Sequence, residues 1–212
     1  MKKVYVSDKA GLALIEFLKT KREVLPVGNI PAVDAAIASH PDILYCRLSS
    51  GADSGIYRGD AALLGDSYPS DCIYNAACVG KYIIASQAVS QELVEQSGLE
   101  YIPVKQGYTK CNLVVVDDRH VITEDEGIAR TLAEKTDLEC LLVHPREVVL
   151  SGYANGFIGG ASGRIDDEIL FNGDLSVHSD HEKIKSFIEG CGLKIRYFKD
   201  YPLTDIGSIV SE

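Results

Sequence analysis

Five side chains sit at matching points along the chain, each opening an apolar, strand-like run: Asp42, Asp71, Cys111, Ser162 and Asp205. Three carboxylates, one thiol and one hydroxyl are a set that can bind a cation or house a nucleophilic cysteine. Cys111 is the thiol of interest, because the neighbouring Lys110 would depress its pKa and because it begins a strand instead of lying within one. In a strand, alternation sends only one of Lys110 and Cys111 to a given face. Asn75 stands beside Asp71 as a second ligand-binding candidate and reads equally as a bulge residue. Asp42 after Pro41 and Asp71 after Ser70 are also ordinary turn residues.

Two other clusters have simpler explanations. His178 and His181, with Asp174 and Asp180 nearby, resemble a metal-binding cluster. A zinc site needs three or four converging ligands, however, and Ser179 to Glu182 reads as a helix capping box, so no metal is expected. Gly156, Gly159, Gly160 and Gly163 lead into a strand-like run and not into a helix. That excludes a dinucleotide loop and leaves tight turning and close backbone approach as their role, and no cofactor is expected.

An internal repeat positions these residues. Residues 71–104 run from Asp71 through Ala77, then Lys81 to Ala85, a polar helix-like stretch from Ser90 to Val94, and Leu99 to Val104. Residues 110–143 repeat that plan at an offset of 38 to 39 residues. They run from Lys110 to Val116, Arg119 to Thr123, a helix from Glu124 to Lys135, and Leu138 to Val143. A third copy comprises strands at Ser162 to Asp166 and Glu168 to Asn172, a helix from Asp180 to Glu189, and a strand from Leu193 to Phe198. A fourth is degenerate, with strands at Asp42 to Leu48 and Gly55 to Arg58 behind a short helix from Pro31 to Ser39. The fifth is split. Lys3 to Ser7, a helix from Lys9 to Lys21 and Glu23 to Val27 supply three elements, and Asp205 to Val210 supplies the missing strand. Thr123 to Glu126 matches a second capping box, and Gly190-Cys191-Gly192 matches a left-handed helix stop.

The 212 residues are 46% hydrophobic and 25% charged, an ordinary globular mix, and one domain over residues 1–212 is expected. Twenty-one Lys and Arg against 31 Asp and Glu give a net charge of −10, which disfavours nucleic acid and points to a small-molecule substrate or ligand or to a protein partner. No apolar run approaches the roughly 20 residues that span a bilayer, and Ser7, Asp8 and Lys9 interrupt any leader sequence. Six cysteines without a Cys-x-x-Cys pair suit reduced thiols in the cytoplasm.

Five strand-strand-helix-strand units closed by both termini resemble the pentein fold, the pseudo-fivefold α/β propeller of guanidino-group-modifying enzymes. Gly159 to Phe171 is similar to the Gly-Gly strand that opens a late module there. Gly173 to His178 places His178 between second strand and helix, where that fold's catalytic histidine sits. Lys105 to Cys111 and Phe157 to Gly163 together look like an uncharacterised bacterial subgroup of that fold. The resemblance implies a hydrolase or transferase acting on a guanidine, amidine or related C–N bond. It also implies convergence of the five strand-opening residues on a central channel, Cys111 as a displaced nucleophile, His178 as acid/base, and Asp71, Asn75, Ser162, Asp174 and Asp205 around the substrate. The chain departs from the family in two places. Ile158 replaces the carboxylate of the family's Glu-Gly-Gly, and Pro202 to Ile209 lacks the family's cysteine. Loss of that cysteine also admits a non-catalytic binding protein, as in the ribosome anti-association factors of this fold.

Overall fold

The structure is a computed structural model that describes residues 2–31, 33–50 and 54–212. It is a mixed α/β protein of five small sheets. The chain opens with β1 (Lys3–Ser7), α1 (Leu12–Lys19) and β2 (Glu23–Val27), followed by the hairpin β3 (Tyr45–Arg47) and β4 (Ile56–Arg58). Next come β5 (Ala77–Val79), β6 (Tyr82–Ser86), α2 (Gln91–Ser97) and β7 (Glu100–Val104). A single helical turn, α3 (Thr109–Asn112), leads into β8 (Leu113–Val115), β9 (His120–Thr123), α4 (Glu126–Lys135) and β10 (Glu139–Leu142). The last full unit is β11 (Ser162–Ile165), β12 (Glu168–Phe171), α5 (His181–Gly190) and β13 (Lys194–Tyr197), and β14 (Val210–Ser211) ends the chain.

Three sheets share one pattern: an antiparallel hairpin, then a helical crossover to a parallel third strand, in β5-β6-β7, β8-β9-β10 and β11-β12-β13. Short turns permit the hairpins, and the parallel step requires the crossover that α2, α4 and α5 provide. The β14-β1-β2 sheet has the same pattern with its first strand taken from the opposite end of the chain, Val4 pairing with Ser211. The β3-β4 pair has no third strand among the described residues. First strands lie side by side, β14 against β3, β3 against β5, β5 against β8, β8 against β11, and β11 against β14 again.

Each crossover helix buries one apolar stripe on its own sheet. Leu14 and Leu18 of α1 pack with Val4 and Val6, Ile128 and Leu132 of α4 with Val121, and Ile184 and Ile188 of α5 with Ile169 and Phe171. Full burial of each such side chain stabilises the fold by roughly 1.5–3 kcal/mol. Among the described residues, no helix is long and apolar enough to cross a membrane, and all six cysteines are free thiols.

Several expected boundaries move. Pro31 to Ser39, of which residue 32 lies outside the described residues, folds as turns and not as a helix. Neither capping box forms. Asp125 Oδ1 caps α4 by accepting from Ile128 N at 2.8 Å, while Thr123 Oγ1 accepts from Asp125 N. Ser179 N donates to Glu147 Oε2, and α5 begins after Asp180 without a side-chain cap. The helix stop does form, with Gly192 at φ +76° and its N–H on Glu189 O.

Candidate active site

All but one of the residues expected to open first strands lie ahead of them. Asp42 sits in a 3-10 turn at Pro41–Ile43, started by the fixed φ of Pro41. Asp71 and Asn75 precede β5, Cys111 is in α3, and Asp205 is five residues before β14. Among the expected openers only Ser162 begins its strand.

Asn75 organises the centre. Its Oδ1 accepts from the backbone N–H of Lys110 at 2.6 Å and of Cys111 at 3.3 Å, which holds α3 in place. Its Nδ2 donates to Asp42 O at 3.3 Å and to Cys111 Sγ at 3.4 Å. Cys111 Sγ in turn donates to Asp42 Oδ2 at 3.0 Å, and Ser208 Oγ donates to the same oxygen at 2.6 Å. Ser208 and Gly207 both adopt φ +70°, and a Cβ on Gly207 would lie 2.1 Å from His40 Cβ, so glycine is what lets the C-terminal turn close over His40.

Because α3 is helical, strand alternation does not apply, and Lys110 and Cys111 both reach the centre. Lys110 Nζ donates to Leu113 O, Gly159 O and Ser208 Oγ at 3.1–3.3 Å, which occupies all three of its protons. Burial holds its pKa below the usual lysine range. The expectation that Lys110 activates the Cys111 thiol is therefore corrected. Burial, reinforced by the charges of Asp42 and Asp205, pushes that thiol well above its ordinary pKa.

The histidine beside this thiol is His40, not His178. A ring nitrogen of His40, Cys111 Sγ and an Asp205 carboxylate oxygen lie within 4.8 Å of one another, and His40 Nδ1 is 3.8 Å from Asp205 Oδ1. Burial lowers the His40 pKa to about 4, leaving a neutral imidazole at neutral pH, and raises Asp205 to about 6. Burial also raises Asp42. Asp205 is aimed by two backbone donors, Gly207 N on Oδ1 and Phe157 N on Oδ2, both at 2.9 Å. His178 belongs to a separate cluster, where its Nδ1 accepts from Asp180 N at 3.1 Å and lies 3.4 Å from Glu147 Oε2.

A cavity of about 150 Å³ opens over the thiol, lined by Ile37, His40, Tyr108, Cys111, Leu150, Tyr153, Asn155, Phe157 and Asp205. It adjoins an outer cleft of about 780 Å³ that shares His40, Leu150, Tyr153 and Asp205. Asp71 stands behind the cavity wall, its Oδ2 accepting from Tyr108 Oη at 2.5 Å while Oδ1 has no partner among the described residues. Two expected substrate contacts, Ser162 and Asp174, do not line this cavity. Ser162 Oγ donates to Gly159 O in the core, and Asp174 Oδ1 accepts from Ser176 to cap a 3-10 turn.

Sequence reasoning passes over His40, Tyr108, Tyr153 and Ser208. The run His40-Pro41-Asp42 carries the one available signal, a proline-started turn with a titratable group on either side. Two sets of three residues could hold a metal ion among the described residues: His40, Cys111 and Asp205, and the half-buried Asp117, His120 and Cys191.

No curated protein matches the chain. A family described as a family of unknown function, DUF6873, matches residues 52–210, three quarters of the length, and takes in Asp71, Asn75, Cys111, Asp205 and Ser208. The chain therefore belongs to the DUF6873 family.

Proposed function

We propose that this protein is a divergent, guanidino-group-modifying type of hydrolase or transferase that acts on a small amidine or guanidine through Cys111, on a pseudo-fivefold α/β propeller of pentein type. The cyclic adjacency of β14, β3, β5, β8 and β11 supports the propeller reading, with the two chain ends pairing to protect the ring's edges. The observation that carries the functional reading is the Cys111 Sγ–Asp42 hydrogen bond at 3.0 Å on the floor of an aromatic-walled cavity that also holds His40 and Asp205.

An amidinium entering this cavity is walled by Tyr108, Tyr153 and Phe157, aromatic rings whose faces attract a cation, and meets the carboxylate of Asp205, which pairs with its N–H groups. The Sγ–C bond forms as the thiol proton passes to Asp42 Oδ2, and that proton leaves with the expelled amine. Water adds to the resulting S-linked amidinium with His40 as base, the C–S bond breaks, and the thiol is restored. The cavity volume limits the reacting part of the substrate to a few heavy atoms, and the outer cleft accommodates any substituent. Free thiols throughout the described residues suit a cytoplasmic setting.

The test is intact-mass measurement after exposure of the metal-free protein to a chloroacetamidine and, separately, to its neutral amide counterpart at pH 7.5. One label on Cys111, added at least tenfold faster from the amidine, lost in Cys111→Ala, slowed in Asp42→Asn and unchanged in His178→Ala, is expected. Equal rates for the two reagents, or labelling indifferent to Cys111, would overturn the reading. A cavity that binds amidines without reacting would leave the binding-protein alternative.

A further inference from the structure

We propose that His40 Nδ1, Cys111 Sγ and the Asp205 carboxylate form a binding site for a divalent transition metal of the zinc class, with a fourth coordination position facing the cavity. One nitrogen, one sulfur and one oxygen donor make a set suited to Zn²⁺ or Co²⁺ and unsuited to Mg²⁺ or Ca²⁺, which take oxygen ligands. Three protein ligands with one open position is the arrangement of a reactive site and not of a closed structural one.

The geometry needs little adjustment. Ligands on a tetrahedral zinc at about 2.0–2.3 Å are roughly 3.3–3.6 Å apart, against 3.8 Å for His40 Nδ1 and Asp205 Oδ1 and at most 4.8 Å within the set. Asp205 is already oriented by Gly207 N and Phe157 N, each of which uses one lone pair and leaves the others free. Behind the sulfur, Asp42 accepts the S–H through Oδ2, while its buried Oδ1 has no partner among the described residues. The ion also completes a charge balance. A thiolate, two carboxylates and the Lys110 ammonium leave a net charge of −2 that a divalent cation neutralises, and the thiol proton leaves to solvent on binding. The other set is the weaker site. Asp117 already accepts from Arg119 N, His120 N and the His120 ring, and the Cys191 thiol is bonded to Phe187 O.

This inference rests on the same cavity as the proposed function and not on the nucleophilic chemistry. Metal occupancy and alkylation at Cys111 exclude each other, so a bound metal would act as a reversible inhibitor of that chemistry.

The experiment is a titration of the chelator-treated, full-length protein with Co²⁺, followed by near-ultraviolet thiolate-to-cobalt charge-transfer absorption, and then displacement by Zn²⁺. One equivalent of Co²⁺ should bind. The charge-transfer band should vanish in Cys111→Ser, affinity should fall at least a hundredfold in His40→Gln and Asp205→Asn, and both should be unchanged in His120→Asn. Zinc should slow alkylation of Cys111 by the neutral amide reagent at least tenfold. No band in a protein shown to be folded, or a band that survives Cys111→Ser and disappears in His120→Asn, would overturn the assignment. The amidine test uses metal-free protein and no cobalt, so either proposal can fail while the other stands.

Discussion

Cys111 donates its thiol proton to Asp42 Oδ2 across a sequence separation of 69 residues, and Ser208, a further 97 residues along, donates to the same oxygen. One buried carboxylate thus ties the 3-10 turn before β3, the helical turn before β8 and the approach to β14 into a single knot. Removing it leaves the thiol without its acceptor, leaves the Ser208 hydroxyl with Gly159 O alone, and takes a counter-charge from the half-buried Lys110. Asp42→Ala should therefore destabilise the fold by about 3 kcal/mol or more. Asp42→Asn, which keeps an oxygen in place, should cost about half as much. Urea unfolding midpoints with an unchanged slope would measure both.

The half-buried Tyr108 and the buried Asp71 form a second pair, and its strength can be isolated. Tyr108→Phe removes the hydroxyl that donates to Asp71 Oδ2, beside an Oδ1 that already has no partner among the described residues. That should cost about 1–3 kcal/mol in the wild-type background. In an Asp71→Ala background the same substitution should cost less than about 0.5 kcal/mol, because the interaction it removes is already gone. A double-mutant cycle with no coupling would show that Tyr108 contributes only its ring to the cavity wall.

The order of elements is legible in the chain, and the centre is not. Hydrophobic periodicity and the 39-residue spacing from Cys72 to Cys111 locate three complete units, the degenerate one, and the split unit that Val4 and Ser211 close. Alternation assigns the candidate residues to strands, yet Asp42, Asp71 and Cys111 lie in turns. The side chain of Asn75 draws the amides of Lys110 and Cys111 into a helical turn, a long-range hydrogen bond that no local pattern encodes. Position within a module points to His178, whereas the histidine beside the thiol is His40, brought there by a turn at Gly207 that comes 167 residues later. Asp71, Asn75, Cys111 and Asp205 do lie around the cavity floor and wall, Asn75 through its bond to Cys111 Sγ and Asp71 through Tyr108.

Glu124 gives the clearest pH dependence outside the thiol cluster. It follows β9 directly and accepts from Ile158 N through Oε2 at 3.3 Å, but burial raises its pKa to about 7. The folded state therefore holds its proton more tightly than the unfolded chain does. Below about pH 4.5 the group is neutral in both states and carries no penalty. As pH rises through 7 the folded protein must bear a buried anion, and stability falls. Glu124→Gln keeps the acceptor and removes the titration. It should match the wild type near pH 4.5 and exceed it by about 1–3 kcal/mol at pH 8. A difference independent of pH between 5 and 8 would mean that Glu124 ionises freely.

Two glycines should respond oppositely to alanine. A Cβ on Gly159 would lie 2.5 Å from each of three backbone atoms, Leu113 N, Leu113 O and Lys110 O, so β8 and the turn carrying Cys111 would have to move. The carbonyl of Gly159 also accepts from Lys110 Nζ, and that contact would shift with it. Gly159→Ala should cost about 3 kcal/mol, lowering the melting temperature by roughly 6–12 °C for a chain of this size. Gly190, the last residue of α5, has open space where a Cβ would lie, with nothing within 4 Å, and its φ lies outside the left-handed region. Gly190→Ala should therefore gain up to about 1 kcal/mol from helix propensity alone. Thermal unfolding of the two variants side by side decides the point. Equal destabilisation would mean that Gly159 is not wedged between α3 and β8, and the close approach that seats Cys111 against Asp42 would lose its support.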